Sequence, residues 1–409
     1  VQPVIFLVDM NAFFISCEMT RNPELKGKPA AVAGNPKKRT GIILAANYEA
    51  RAQGVKTAMV LHEALRLCPG MLLVPPDHHF YEEKSHQVMD LLAHYSPLIE
   101  QNSIDEAWLD MTGTEGLFGK PEDAAEKILS EIKEQLGLWC SVGIATNKFL
   151  AKMASEIKKP LGITTLWPNE IESKLWPLPV RSMYGVGKKT AEKLNNMGIH
   201  TIDDLAKLDP DRLVKNLGKA GREHHQHANG LDFSPLTPRS SGDMKSIGRS
   251  KTLPQDLADL NQAKIILLEL TERVGITARK YEKKGNTVQI TLKYSDFKII
   301  TRQMTIPRTN ATLEIYHAGC TLLEENWQAK KPIRLLGISI GGFNPEENPE
   351  QMSLFDFAPK PVTGEHNVHN ERIDQVMDKI RAKHGMEKIH RGTIQILHAK
   401  TGQDKNPDR

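Results

Sequence analysis

SIDEA (residues 103–107), read against VIFLVD (residues 4–9), decides the architecture of the first half of the chain. VIFLVD is a short β-branched run that ends on a carboxylate, the pattern of a buried strand. Asp105 and Glu106 lie between two further strand-like stretches, 98–101 and 107–111, which places them near a hairpin tip. If the three strands share one sheet, Asp9, Asp105 and Glu106 converge at one edge. Three carboxylates that close repel one another unless cations sit among them. An all-oxygen donor set suits Mg²⁺. Two such ions, roughly 3.5–4 Å apart, can clamp the attacking and leaving oxygens of a phosphoryl displacement. Read alone, the same residues also serve as ordinary turn residues and a strand-end cap, so the metal reading needs support from elsewhere in the chain.

The 409 residues suffice for two to four domains with cores of their own. A hydrophobic fraction of 39% and a charged fraction of 25% are those of a soluble globular protein. No stretch approaches the ~18–20 apolar residues of a membrane span, and the first residues run into a strand without a signal-peptide pattern. Cys17, Cys68, Cys140 and Cys320 are far apart and show no CxxC spacing. That argues against structural zinc or a disulfide framework and for a reducing, cytoplasmic setting. The net charge of +4 says little, but its distribution says more. Residues 244–345 carry 16 Lys and Arg against 9 Asp and Glu, on a chain otherwise slightly acidic. A polyanion-binding module has this composition, and so does a solvated basic surface.

Strands alternating with helices up to residue 167 indicate an α/β or α+β domain. The pattern predicts helices over 80–95, 121–136 and 147–157, the last stopped by Pro160, and strands over 72–74 and 140–145. Residues 168–232 read as short helices joined by Gly turns, and FSPLTPRSSG (233–242) reads as a linker. From Met244 the order is strand, long helix (257–283), strands (287–294 and 299–306), helix (313–327) and strand (333–340): a separate small α+β domain. A Pro- and Glu-rich tract follows, then a helix over 367–384 and a polar end.

MYGVGKKTAEKL, from Met183, predicts a helix ending near Tyr184, a tight turn at Gly185, Val186 and Gly187, and a second helix opening at Lys188 and Lys189. Glycines let a backbone approach a phosphate, and the N–H groups of the new helix point at it. This is the hairpin of a helix-hairpin-helix element, which grips nucleic acid without reading sequence; a plain two-helix corner is the alternative. GIILAANYEARAQGVK (41–56) puts Tyr48 and Arg51 on one face of a short helix, where both can donate to an anion or make a surface contact. Lys158 and Lys159 stand at a helix end, where they would also complement its dipole. Phe13 and Phe14 are either a core pair or an aromatic plate that excludes a 2′-hydroxyl. His224, His225 and His227 lack ligand spacing and acidic partners. QMSLFDF (351–357) is an apolar island in a polar tract; it inserts into a partner's groove or folds back on its own domain.

VDMNAFFISCE, NYEAR, SIDEAWLD, SVGIATNKFLAKMAS, KKPLGI, GVGKKTAEKL, SIGRSKT and QMSLF cover nearly the whole chain. Together they resemble a Y-family DNA polymerase, and within that family its bacterial polymerase IV branch. The resemblance implies a multidomain α+β right hand. The palm, βαββαβ-like, would be 1–10 and 78–167, the fingers 11–77 and the helical thumb with its helix-hairpin-helix 168–232. A linker (233–243), a little finger (244–344), a segment carrying a clamp-binding motif (345–361) and an extension (362–409) would follow. By the same resemblance, Asp9, Asp105 and Glu106 bind two Mg²⁺ ions with help from the Met10 backbone carbonyl. Phe14, beside Phe13, is the steric gate of the nucleotide site. Tyr48, Arg51 and Lys159 hold the triphosphate. Gly185, Val186, Gly187, Lys188 and Lys189 grip the primer-side duplex. Ser246, Gly248, Arg249, Ser250 and Thr252 lie along the template phosphates. Gln351, Ser353, Leu354 and Phe355 bind the replicative sliding clamp.

The implied activity is low-fidelity translesion synthesis: a monomer adds dNTPs to a primer–template DNA, with no proofreading domain and no membrane attachment. One departure is Leu44-Ala45, where many relatives carry Ser-Thr hydroxyls, so a hydroxyl contact to the nucleotide phosphates is missing. Two other readings remain: a polymerase V-like subunit dependent on partners, and a non-catalytic scaffold or nucleotide cyclase on a palm. The intact carboxylates speak against a dead site. The Gly185 hairpin and the clamp-like tail speak against a cyclase.

Overall fold

VIFLVD forms the middle strand of a five-stranded sheet. The computed structural model describes residues 2–35, 41–238, 244–328, 331–343, 364–385, 388–389 and 391, which divide into two units, 1–239 and 240–409. In the first unit the order is β1 (Ile5–Met10), α1 (Phe13–Arg21), β2 (Ala30–Ala33), β3 (Ile43–Ala46), α2 (Tyr48–Ala52), α3 (Leu61–Leu67), β4 (Leu72–Val74) and α4 (His78–Leu92). Next come β5 (Ile99–Gln101), β6 (Glu106–Asp110), α5 (Glu115–Phe118), α6 (Pro121–Leu136), β7 (Cys140–Ala145), α7 (Lys148–Ile157) and β8 (Ile163–Leu166). Four helices complete the unit: α8 (Lys188–Asn196), α9 (Ile202–Lys207), α10 (Pro210–Leu217) and α11 (Lys219–Ala228).

The large sheet has the order β5-β6-β1-β7-β8, and β3-β2-β4 form a smaller one. Both faces of β1 are covered, which is why its sequence is apolar at every position rather than alternating. Phe6, Val8 and Met10 belong to the core built with α1, α4 and α6. Ile5 and Leu7 belong to the core built with α7 and the helices beyond residue 180.

Two expectations need correction. The helix expected to end near Tyr184 is only a 3₁₀ turn, Val180–Ser182, preceded by the short helical turns Pro168–Glu170 and Ile171–Leu175. Pro177 and Pro179 precede it, and each removes a backbone donor. The chain entering the predicted linker is anchored at Gly230 and Asp232, and the linker itself at Pro235 and Thr237. Asn147 Nδ2 donates to Gly230 O (2.8 Å), Phe149 N to Asp232 Oδ2 (3.1 Å), Lys148 Nζ to Pro235 O (2.9 Å) and Thr237 N to Glu100 Oε2 (2.9 Å). Residues 239–243 lie outside the described residues.

The second unit runs β9 (Ser246–Leu257), α12 (Leu260–Lys280), β10 (Gly285–Tyr294), β11 (Ile299–Thr309), α13 (Thr312–Asn326), β12 (Ile333–Gly341) and α14 (Gly364–His384). Its antiparallel sheet has the order β11-β10-β12-β9. Alternate residues of β10, Val288, Ile290, Leu292 and Tyr294, are buried with α12 and α13. The extension beyond residue 361 is not idle: α14 is locked to α12 and α13 by buried charges. Arg279 pairs with Asp374 (3.0 Å) and Asp378 (2.6 Å), and Arg381 with Glu272 (2.9 Å). Asp374 also accepts the Thr312 N–H at the start of α13 (2.7 Å).

Removing one partner of a buried pair strands the other. Asp374→Ala should therefore cost the second unit about 3 kcal/mol and lower its melting transition by on the order of 10 °C. Differential scanning calorimetry of the full chain checks this. A shift within error would mean that α14 is not energetically coupled to α12.

Candidate active site

Strand register brings the predicted carboxylates together. Asp9 on β1 lies directly opposite Glu106 on β6, and the Met10 N–H donates to Asp105 O (2.9 Å) just outside the ladder. The turn after β1 passes through left-handed Ala12 (φ 49°) and opens α1, which presents Phe13 and Phe14 one turn from Asp9. Phe13 is buried in the core. Phe14 is half-buried and stacks on the Tyr81 ring of α4 (4.4 Å between centroids, 14° between planes). Tyr81 is held in turn by its hydroxyl, which donates to Glu18 (2.7 Å), itself paired with Arg21 (2.8 Å).

Asn47 of the NYEAR stretch caps α2. Its Oδ1 accepts the Ala50 N–H (3.1 Å) and the Ala30 N–H (3.0 Å), which ties the helix to β2. This fixes Tyr48 and Arg51, whose guanidinium lies 5.1 Å from the Tyr48 ring. The Tyr48 hydroxyl is buried without a hydrogen-bond partner. Asp9, Met10, Phe13, Phe14, Tyr48, Arg51, Asp105, Glu106 and Lys159 all line one cleft of about 350 Å³. Leu44 and Ala45 line it too, so its wall is apolar where a hydroxyl was missed.

The cleft also holds a residue that the sequence reading passed over, Lys152 of α7. Its Nζ lies 2.9 Å from Asp9 Oδ2, 2.6 Å from Glu106 Oε2 and 3.1 Å from Glu156. Lys159 Nζ is 2.8 Å from Asp9 Oδ1. A sequence signal existed: Lys152, Glu156 and Lys159 recur at helical spacing beside the strand that pairs with β1. Burial would raise the Asp9 carboxyl, but the two ammonium groups outweigh it and hold it below the usual carboxylate range. Burial dominates at Asp105, opposed by the Ser103 hydroxyl, and pushes that carboxyl up. Glu106 is likewise pushed up by burial despite Lys152. Among the described residues no three acidic, His or Cys side chains close onto one metal-sized point. At Asp9 and Glu106 the ammonium groups hold the oxygens instead. The donor set itself, three half-to-fully buried carboxylates, fits a hard divalent cation.

Elsewhere in the first unit, Gly185 has φ +88°, a conformation open to glycine, and α8 opens at Lys188 with no side-chain cap on its first turn. Lys188 and Lys189 are exposed. His227 stacks on Phe149 (4.3 Å) and His224 is buried, both as packing groups. In the second unit, Gly248 and Ser250 pair with Ser339 and Gly337 on the sheet face away from the helices, with Ser246 and Thr252 in the same alternation. Arg249 pairs with core-facing Ile338, so it lies on the opposite side of the strand from those four. Gln351, Ser353, Leu354 and Phe355 lie outside the described residues.

The impB/mucB/samB family model matches residues 8–156, its C-terminal domain model residues 244–354, and the IMS family HHH motif residues 168–199. The chain is 60% identical to a DNA polymerase IV of Alkaliphilus oremlandii, covering 96% of this chain and 99% of that one. It is 57% identical to a DNA polymerase IV of Clostridium kluyveri (96% and 98% covered) and 39% to a DNA polymerase IV 1 of Bacillus subtilis (99% and 97%). Among solved structures it is similar to a Y-family DNA polymerase chimera, Dbh-Dpo4(243-245)-Dbh. There the TM-score is 0.74 and the identity 29%, with 83% of this chain and 99% of that chain covered.

If Lys152 neutralises the cleft, Lys152→Met in chelator-treated protein should cost about 3 kcal/mol, since it strips Glu106 of its ammonium partner and leaves Asp9 with Lys159 alone. Added divalent cation should restore most of the lost melting temperature. A variant as stable as the parent in chelator would show that the carboxylates do not depend on Lys152.

Proposed function

The chain belongs to the Y-family DNA polymerases of the impB/mucB/samB family, and we propose that the Asp9–Asp105–Glu106 cleft is where it joins dNTPs to a primer end. It is a DNA-directed DNA polymerase of the translesion type, acting on DNA and nucleotides and dependent on divalent metal. The observation that carries the site assignment is the pairing of Asp9 with Glu106 across β1 and β6, with Asp105 one residue away.

In this reading Asp9, Asp105, Glu106 and the Met10 carbonyl supply oxygens to two Mg²⁺ ions. Support for two comes from Asp9, whose two oxygens already accommodate two cationic groups, Lys152 and Lys159. Bound Mg²⁺ would supply activation of the primer 3′-hydroxyl and neutralise charge on the departing pyrophosphate. Lys159, Arg51 and the unpartnered Tyr48 hydroxyl hold the triphosphate. Leu44 and Ala45 in the wall add no hydroxyl to that grip, which rests on the two cationic groups and the Tyr48 hydroxyl. Phe14, fixed by its stack on Tyr81, stands against the sugar and leaves no room for a 2′-hydroxyl. Phe13 backs it from the core.

We read 1–10 with 78–167 as palm, 11–77 as fingers and 168–232 as thumb; in support, the five-stranded sheet falls within the first range, the three-stranded sheet within the second and α8–α11 within the third. The uncapped start of α8 after Gly185, Val186 and Gly187, with Lys188 and Lys189, suits a duplex phosphate. Ser246, Gly248, Ser250 and Thr252 offer one face of β9 to the template strand, and Arg249, on the strand's other side, would have to reach around it to add a charge. Every described residue of the cleft comes from the first unit, and we read the enzyme as acting as a monomer. The free cysteines fit a cytoplasmic setting, and among the described residues no helix is long and apolar enough to cross a membrane. Gln351, Ser353, Leu354 and Phe355 would dock on a sliding clamp, which raises local concentration at the primer end.

One primer-extension panel in Mg²⁺ tests the assignment. Asp105→Asn with Glu106→Gln should bind DNA yet add no nucleotide. Phe14→Ala should admit ribonucleotides. Leu354→Ala with Phe355→Ala should keep the rate on bare primer and lose stimulation by loaded clamp. Substantial extension by the carboxylate double variant sinks the site assignment; unchanged sugar selection or clamp stimulation sinks the corresponding role.

A further inference from the structure

Between the Asp9 strand and the Lys159 turn stands a buried side chain to which no role has yet been given. Asn11 follows β1 and is 1% exposed. Its Oδ1 accepts the Leu161 N–H (2.9 Å) and its Nδ2 donates to Ser141 Oγ (3.1 Å) on β7. Ser141, fully buried, also accepts the Gly162 N–H (3.3 Å), and the Gly162 carbonyl accepts the Val142 N–H (2.8 Å). Three consecutive backbone groups of the turn after Lys159 are thus pinned to β1 and β7. The turn is tight as well. Leu161 sits in the left-handed region (φ 58°), and a Cβ on Gly162 would fall 2.0 Å from Lys158 O. The Asn11 carbonyl accepts from Ser16 Oγ (2.7 Å) in α1, the helix that carries Phe14.

We propose that Asn11 is a positioning residue for the nucleotide triphosphate: its buried amide pins the turn 159–162 and so fixes where the Lys159 ammonium stands above Asp9. The proposal rests on the reading that Lys159 holds the triphosphate. A lysine has a flexible four-carbon stem, so the placement of its charge is no better than that of its Cα. Here the Cα is held by a turn with no regular structure of its own. The amide offers an acceptor to the Leu161 N–H and both a donor and an acceptor to Ser141 Oγ, so it holds the two together whichever way the hydroxyl turns. Asn11→Ala leaves the Leu161 N–H without its partner and frees the turn, while Asp9, Asp105 and Glu106 keep their own strand register.

The test is a double-mutant cycle between Asn11→Ala and Lys159→Ala in the full chain. It is read as dNTP dissociation constant on dideoxy-terminated primer–template and, separately, as KM and kcat for single-nucleotide addition. Asn11→Ala should weaken dNTP binding about tenfold, the order of one lost positioning hydrogen bond. The loss should fall on KM more than on kcat, and DNA affinity should not change. In the Lys159→Ala background the same substitution should have almost no further effect on dNTP binding. Equal losses in both backgrounds, or a loss confined to kcat or to melting temperature, would overturn the proposal. If Lys159→Ala alone leaves dNTP binding untouched, the triphosphate reading of Lys159 fails and the positioning role falls with it. Should Asn11→Ala not fold, Ser141→Ala removes the partner of both Asn11 and Gly162. It should show a smaller effect with the same dependence on Lys159, and additivity there is the overturning result.

Discussion

Charge crowding at one strand pair governs this cleft. Asp9 and Glu106 are opposed across β1 and β6, and Asp105 follows at the turn. Two like charges about 4 Å apart repel by roughly 4 kcal/mol even at an effective dielectric of 20, and burial adds to the cost. The protein answers with two lysines, but unevenly. Asp9 receives both ammonium groups and stays easily ionised; Glu106 shares one of them, and Asp105 has a Ser103 hydroxyl. The opposite shifts of Asp9 and its two neighbours follow from that distribution. A site in which two of three carboxylates are held up by burial is short of positive charge, and the shortage lies on the Asp105–Glu106 side.

Delivery of the lysines depends on close packing of α7 against the sheet. A Cβ on Gly143 of β7 would lie 2.0 Å from Ala151 O and 2.5 Å from Ser155 N, so only glycine lets the helix come this near. From there Lys152 reaches past β7 to Asp9 and to Glu106 on the far side of β1. Any larger residue at 143 would lift α7 and take the ammonium group with it. The same helix holds Lys148, whose Nζ bridges Glu100 and Pro235 and so ties down the chain leaving the first unit. Cleft electrostatics and linker anchoring therefore share one piece of backbone packing.

How far the sequence could be read follows from the range of each interaction. Strand β1 was legible because a strand covered on both faces is apolar throughout, and Asp9 because it ends that run. Asp105 and Glu106 were legible as a pair because they stand together between two strand-like runs; their meeting with Asp9 depended on the three strands sharing one sheet, which the register of β1 with β6 shows. Lys152 and Asn11 were not singled out: their partners lie up to 150 residues away and their letters, a helical lysine and a turn asparagine, have common local explanations. The helix-hairpin-helix motif was legible from its Gly185–Gly187 turn and the matching family motif bears it out, but its first helix is shorter than expected, a single 3₁₀ turn, because Pro177 and Pro179 remove backbone donors ahead of it. The docking of α14 was invisible for another reason. Arg279, Glu272, Asp374 and Arg381 read as solvated charges in sequence, and only the fold shows that they are buried against one another.

The second unit shows the limit of arguing from net charge. Its excess of Lys and Arg suggested a basic binding surface, yet many of those groups are spent within the unit. Lys251 pairs with Glu269, Lys264 with Glu324, Lys284 with Glu371 and Lys331 with Asp296, while Arg279 is buried under α14. The sheet face away from the helices presents hydroxyls and amides instead. Thr291 stands between Thr301 and Gly337, and Gln289 between Gln303 and Ser339, with Gly248 and Ser250 beyond. Lys293 is the charged residue of the cleft on that face; Arg249, which also lines the cleft, stands on the other side of edge strand β9. A nucleic-acid backbone lying there would meet neutral Ser, Thr and Gln donors interspersed with glycines that let it come close. Such contacts position a strand without releasing many counterions and without reading its bases. The grip would then depend on the regular spacing of the pleat, which matches a repeating backbone whatever bases it carries, damaged or not.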